Sequence, residues 1–128
     1  MPQPCPCGAS ADYLLCCGRF LDGEQRAPGA EALMRSRYTA FVKGREDYLM
    51  ATWHPDHRPA ALDLHQETAT RWLGLEIKAA RVQDARHATV EFVARYKIGG
   101  RAHRLHETSR FVLEDGLWLY TDGDIHPK

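Results

Sequence analysis

The sequence is most informative first in what it lacks. No cysteine follows Cys17, in a chain of 128 residues. No apolar run approaches the roughly 18 residues of a membrane span. The opening residues have neither a basic n-region nor an apolar h-region, so no secretion signal is expected. Lysine plus arginine and aspartate plus glutamate stand at 17 each. That balance argues against a nucleic-acid binder working through bulk positive charge, and the chain has no DNA-binding signature. Repeats, low-complexity tracts and Gly-rich phosphate loops are missing, and no serine has a His and Asp partner set. These absences lean against an enzyme and leave the question open. A cytoplasmic, reducing location follows by default.

What is present begins with MPQPCPCGASADYLLCCGRF, which holds all four cysteines, Cys5, Cys7, Cys16 and Cys17. Three chemistries compete for them. A reducing compartment argues against disulfides, and a Cys16–Cys17 bridge would be strained. A redox pair would want Cys-x-x-Cys in a βαβ setting, and neither is here. Zinc wants four tetrahedral ligands, and Cys-x-Cys followed by Cys-Cys supplies them. Pro6 stiffens the first pair and Gly8 leaves the backbone free to turn. Metal would also supply the folding energy that so short a segment lacks. Zinc is the favoured reading: one structural ion, with no open position to activate water.

The body reads as helices followed by strands. AEALMRSRYTAFVK (30–43) has Ala30, Met34, Tyr38, Phe41 and Val42 at helical spacing. A short second helix is expected over 45–53. A third is expected over 60–73, using Leu62, Ala69, Trp72 and Leu73, with Gly74 as its cap. From Leu75 the period becomes two, in segments 75–83, 87–98, 101–113 and 117–122. Gly99-Gly100 and Asp115-Gly116 are two-residue hairpin signals. They imply Phe92 opposite Glu107, Val90 opposite Ser109, Phe111 opposite Tyr120 and Ser109 opposite Asp122. The expected fold class is α+β: an N-terminal knuckle (1–18), a connector (19–29), then helices packed on a curved four-stranded antiparallel sheet, cone-like (30–128).

That register sets Glu107, Ser109 and Asp122 on the apolar inner face. A bare carboxylate there needs a partner, and Arg37 lies at the edge of the first helix's apolar stripe. An Arg37–Glu107 ion pair is expected. It is either a tie between helix and sheet or the floor of a ligand pocket completed by Ser109, Asp122 and Tyr120. His54 and His57 read as loop residues. His103 and His106, three apart on a strand, face opposite ways. Asp122-Gly123-Asp124 reads as a turn rather than a Mg²⁺ site.

CPCGASADYLLCCG resembles the SEC-C motif, the zinc-binding tail best known from a protein-translocation ATPase. The four cysteines fall on its ligand positions and Tyr13 on its aromatic. The motif's usual Gly-Ser-Gly-Lys is Gly8-Ala9-Ser10-Ala11 here, so its basic residue is missing. EALMRSRYTAFV, DYLMATWHP, VEFVARY, HETSRF and LWLYTDGD resemble the YchJ-like family of small bacterial proteins. The resemblance implies a nuclear-transport-factor-2-like (cystatin-like) cone carrying a zinc knuckle, with no established activity. By analogy with the translocase tail it implies a protein or ribosomal partner for the knuckle. The alternative expectation is a small-molecule binder or enzyme using the inside of the cone.

Overall fold

The computed structural model describes residues 4–8, 12–23, 25–59 and 70–126. A 3₁₀ turn, Tyr13–Leu15, leads into the short helix α1 (Gly18–Leu21). Helices α2 (Ala30–Lys43) and α3 (Glu46–Ala51) follow, then strands β1 (Thr70–Asp84), β2 (His87–Ile98), β3 (Arg101–Glu114) and β4 (Leu117–Ile125). The strands form one antiparallel meander in the order β1-β2-β3-β4.

Helix α2 starts after extended Gly29 and stops at Gly44, which takes the left-handed conformation (φ 68°) and donates its N–H to the Ala40 and Phe41 carbonyls. Its buried surface is wider than the apolar stripe suggests. Leu33, Met34 and Tyr38 join Val90, Phe92, Ala94 and Phe111 in a core against the sheet. Ala40 belongs to a second core, built with Cys5, Cys7, Tyr13, Cys17, Phe20, Leu21 and Leu49. Val42, expected to face inward, is exposed. The cysteine segment is thus no free appendage. Phe20 and Leu21, within the expected connector, are core residues of the same cluster.

The two hairpin turns form as read. Gly99 and Gly100 both have positive φ, as do Asp115 and Gly116, the geometry that matches the twist of two-residue hairpins. Phe92 pairs with Glu107 and Val90 with Ser109; Leu113 pairs with Trp118 and Phe111 with Tyr120. Two expectations fail. Residues 70–73 belong to β1, so Trp72 and Leu73 are strand residues and Gly74 caps no helix; the rest of the expected third helix, 60–69, lies outside the described residues. The β3–β4 register also shifts between Arg110 and Phe111, so Ser109 faces Gly123 and Arg110 faces Asp122. The extra residue is Thr121, a bulge that reverses which face every later side chain takes.

Phe111 is 2% exposed and sits where β3 meets α2's core. Phe111→Ala is expected to cost about 3–5 kcal/mol of stability, read as a lowered midpoint in urea unfolding.

Candidate metal centre and cone cavity

The cysteine cluster is assembled by two tight turns. Gly8 donates its N–H to the Cys5 carbonyl (3.2 Å) and adopts φ 81°, which a side chain would resist, so the chain doubles back after Cys7. A single bridge between Pro4 and Asp12 ties the two arms of the loop. The 3₁₀ turn then delivers Cys16, whose N–H bonds the Tyr13 carbonyl (3.0 Å), and Cys17, which precedes α1. Gly18 must be small: a Cβ there would lie 2.7 Å from the Tyr13 carbonyl oxygen.

One Sγ from each of Cys5, Cys7, Cys16 and Cys17 falls within 4.8 Å of all the others. Cys7 and Cys16 sulfurs are 3.6 Å apart, and all four are free thiols. A tetrahedral ion with bonds of about 2.3 Å sets its sulfurs about 3.8 Å apart, so the spacing suits one. Burial, with the neighbouring sulfurs adding to it, pushes the Cys16 thiol up to about 11; the hydrogen bond with Cys7, with burial behind it, drives Cys17 up further. Thiolates at this depth need a cation among them. Around the cluster, Thr39 Oγ1 lies 3.7 Å from Cys5 Sγ, and Arg35 Nη1 donates to the Cys7 carbonyl (2.9 Å). Both partners come from α2. A metal held by all four thiolates would have no vacant position, the arrangement of a structural site.

On the other side of α2 a cavity of about 160 Å³ opens between helix and sheet. Its walls are largely aromatic and aliphatic, with Arg37, Glu107, Ser109 and Tyr120 as the polar members. Arg37 is 4% exposed. Its Nη1 donates to the Leu49 carbonyl (2.9 Å) and to Thr52 Oγ1 (2.7 Å). The guanidinium carbon lies 4.6 Å from the Tyr120 ring centre and 5.1 Å from that of Trp53. Trp53 is held by its own indole N–H on the Thr121 carbonyl (3.2 Å). Burial draws the guanidinium down to about 10, against the pull of Tyr120, Tyr48 and Glu107, so it stays charged at neutral pH.

The expected Arg37–Glu107 contact pair does not form. Aromatic faces and backbone oxygen hold Arg37, while Glu107 Oε2 accepts from Ser109 Oγ (2.6 Å) and, at longer range, from Tyr120 O–H (3.4 Å). Burial and the Glu107 charge push Tyr120 up to about 12, so it remains a donor. The two charges share the cavity without touching. Gly123 makes the seat for Glu107: a Cβ there would run into the carboxylate and approach the Thr108 carbonyl to 3.0 Å.

Asp122 is not in the cavity. The Thr121 bulge turns it to the outer face, where Arg110 Nε holds it at 2.7 Å and keeps it below the usual carboxylate range. The same guanidinium takes Asp124 through Nη1 (2.6 Å), so these two aspartates clamp an arginine. His54 Nε2 pairs with Glu114, and its ring packs edge-on against His57.

One cluster escaped the sequence reading. Glu91, His106 and His126 bring their ligand atoms within 4.8 Å of one another. Only a register that includes the bulge brings His126 beside His106, where its N–H bonds the His106 carbonyl. The nitrogens are engaged: His106 Nε2 meets Glu91 Oε2 (2.6 Å) and His126 Nε2 meets Thr108 Oγ1 (2.7 Å). The rings stack 4.3 Å apart and nearly parallel, so their lone pairs do not converge.

Known proteins bear on both features. Residues 29–123 match the family model described as YchJ, middle NTF2-like domain. A UPF0225 protein of Cupriavidus pinatubonensis is 59% identical, covering 97% of this chain and 90% of its own length. One from Bordetella pertussis is 56% identical, covering 97% of this chain and 94% of its own. A SEC-C motif containing protein from Rhodopseudomonas palustris, solved in solution, superposes with TM-score 0.85 at 32% identity, over 98% of this chain and 100% of its own. A crystal structure of a SEC-C motif containing protein from Psychrobacter arcticus superposes with TM-score 0.79 at 31% identity, over 98% of this chain and 84% of its own. With its α+β cone, its cysteine cluster at the SEC-C positions and these relatives, the chain belongs to the YchJ-like UPF0225 family.

Proposed function

We propose that the cysteine cluster holds one zinc ion, and that the knuckle it fixes is an interaction module for a protein or ribosomal partner in the cytoplasm. The observation that carries this reading is the placement of two leucines. Leu14 and Leu15 sit between the two cysteine pairs and are 66% and 74% exposed, beside a cluster in which Cys5, Cys7 and Cys17 are buried and Cys16 is half-buried. A metal-closed turn that holds two apolar side chains outward at fixed geometry is a small, rigid contact surface, of the kind that loses little entropy on docking. Four free thiols suit a reducing compartment. Among the described residues no helix is long and apolar enough to cross a membrane.

A second reading is favoured by the cavity. A cavity bordered by a buried cation and a carboxylate supports a small-molecule binder, or an enzyme working inside the cone.

Protein purified without added metal is expected to carry about one equivalent of zinc per chain by elemental mass spectrometry. Less than about half an equivalent would overturn the zinc assignment. Cys7→Ser is expected to lose the ion and to lower the melting temperature, because the cluster shares its core with α2 and α3.

The docking surface is tested by Leu14→Ser with Leu15→Ser, which leaves all four ligands in place. Zinc content and melting temperature should hold, while sedimentation with purified ribosomes and site-specific cross-linking to ribosomal proteins should fall to background. Equal sedimentation and cross-linking by wild type and variant, or none by either, would refute the proposal.

A further inference from the structure

Arg37 offers more hydrogen-bonding capacity than the protein uses. The guanidinium carbon lies over the Tyr120 and Trp53 rings, and Nη1 serves Leu49 and Thr52. Its Nε and Nη2 donors make no hydrogen bond among the described residues. They form the edge by which arginine recognises a carboxylate in plane. Glu107 is similar. Both of its bonds fall on Oε2, and Oε1 accepts none among the described residues. One cavity therefore presents an unused cationic edge and an unused carboxylate oxygen, within walls that include Met34, Phe41, Trp72 and Leu105.

Charge balance narrows the ligand. Arg37 and Glu107 together sum to zero. A plain anion would bring a net negative charge into a largely apolar cavity and face Glu107; a plain cation would face Arg37. A zwitterion meets both and leaves the cavity neutral. Size narrows it further. A cavity of about 150 Å³ accommodates benzene, so the space suits a molecule of about six to nine non-hydrogen atoms.

We propose that the cone is a binding site for a small zwitterion of the aliphatic amino-acid class. Its carboxylate lies on the free edge of Arg37, its ammonium on Glu107 Oε1, and its hydrocarbon part against Trp72 and Leu105. Ser109 and Tyr120 hold the Glu107 carboxylate in position through Oε2, and Gly123 leaves the space that carboxylate occupies. The inference rests on the second reading above, that the cone takes small molecules, and adds the chemical class.

The test is a titration of the intact, metal-replete protein followed by the amide signals of Ser109 and Tyr120 and the indole signals of Trp53 and Trp72. The probes are L-valine, 2-hydroxy-3-methylbutanoate, 3-methylbutanoate and 3-methylbutanol, which share one carbon skeleton. Valine should give saturable shifts, with the hydroxy acid weaker and the plain acid weaker again. Glu107→Gln and, independently, Gly123→Ala should each weaken valine by about tenfold or more, the size of one lost charge-assisted hydrogen bond. Neither change should affect zinc content. If the alcohol saturates the site and valine does not, the cone takes small molecules but the zwitterion assignment is wrong. If the plain acid binds as tightly as valine, or the two variants bind valine like the wild type, Glu107 has no part and the assignment is equally wrong. If no probe saturates, both the assignment and the small-molecule reading fall.

Discussion

Helix α2 is packed on two sides at once, and both sites depend on it. Leu33, Met34 and Tyr38 face the sheet core, while Ala40 belongs to the cysteine core, so the middle of the helix has almost no surface left for water. The polar side chains of its central turn therefore reach for partners on neighbouring segments. Ser36 donates to the Leu33 carbonyl and bonds Tyr48 O–H, Thr39 approaches the Cys5 sulfur, and Arg37 is received by Leu49, Thr52 and two aromatic rings. Ser36 and Arg37 thus tie the helix to α3, through Tyr48 and Leu49, and Thr39 ties it to the cysteine segment. Together they fix its rotation about its axis more tightly than apolar packing alone would.

This arrangement relates the two halves of the molecule. The cysteine segment is too small to fold on apolar burial alone. In compensation it contributes to one wall of the body, with Phe20 and Leu21 packed beside Leu49 and Ala40. The cysteine cluster and the cone cavity lie on opposite sides of one helix, with Arg35 bonded toward the knuckle and Arg37 directed to the cavity.

Much of this was legible in the sequence, for physical reasons that can be named. Paired glycines and Asp-Gly force positive φ at known positions, and alternation does the rest; so the partners of Phe92, Val90 and Phe111 could be read without coordinates. The cysteines were legible because four ligands at that spacing suit few chemistries. Three things were hidden. The Thr121 bulge has no local signature, since a threonine in a strand looks the same whether or not it is paired. The start of β1 was mistaken for helix because Trp72 and Leu73 fit either period over so short a run. The Arg37–Glu107 contact failed because pairing by charge ignores aromatic faces and backbone oxygens, which here hold the arginine instead.

The bulge has a consequence for how this sheet tolerates a slip in register. With Thr121 as an extra residue, Glu107 is the one carboxylate of β3 and β4 that lines the cone, and Asp122 and Asp124 share an arginine in solvent. Pairing Thr121 directly with Arg110, with no bulge, would change no residue of β4. It would, however, bring Asp122 opposite Ser109 and set a second acid beside Glu107 in a cavity that already holds its counter-charge. The electrical neutrality of the interior is therefore a matter of parity, set by counting residues along one strand rather than by which residues they are.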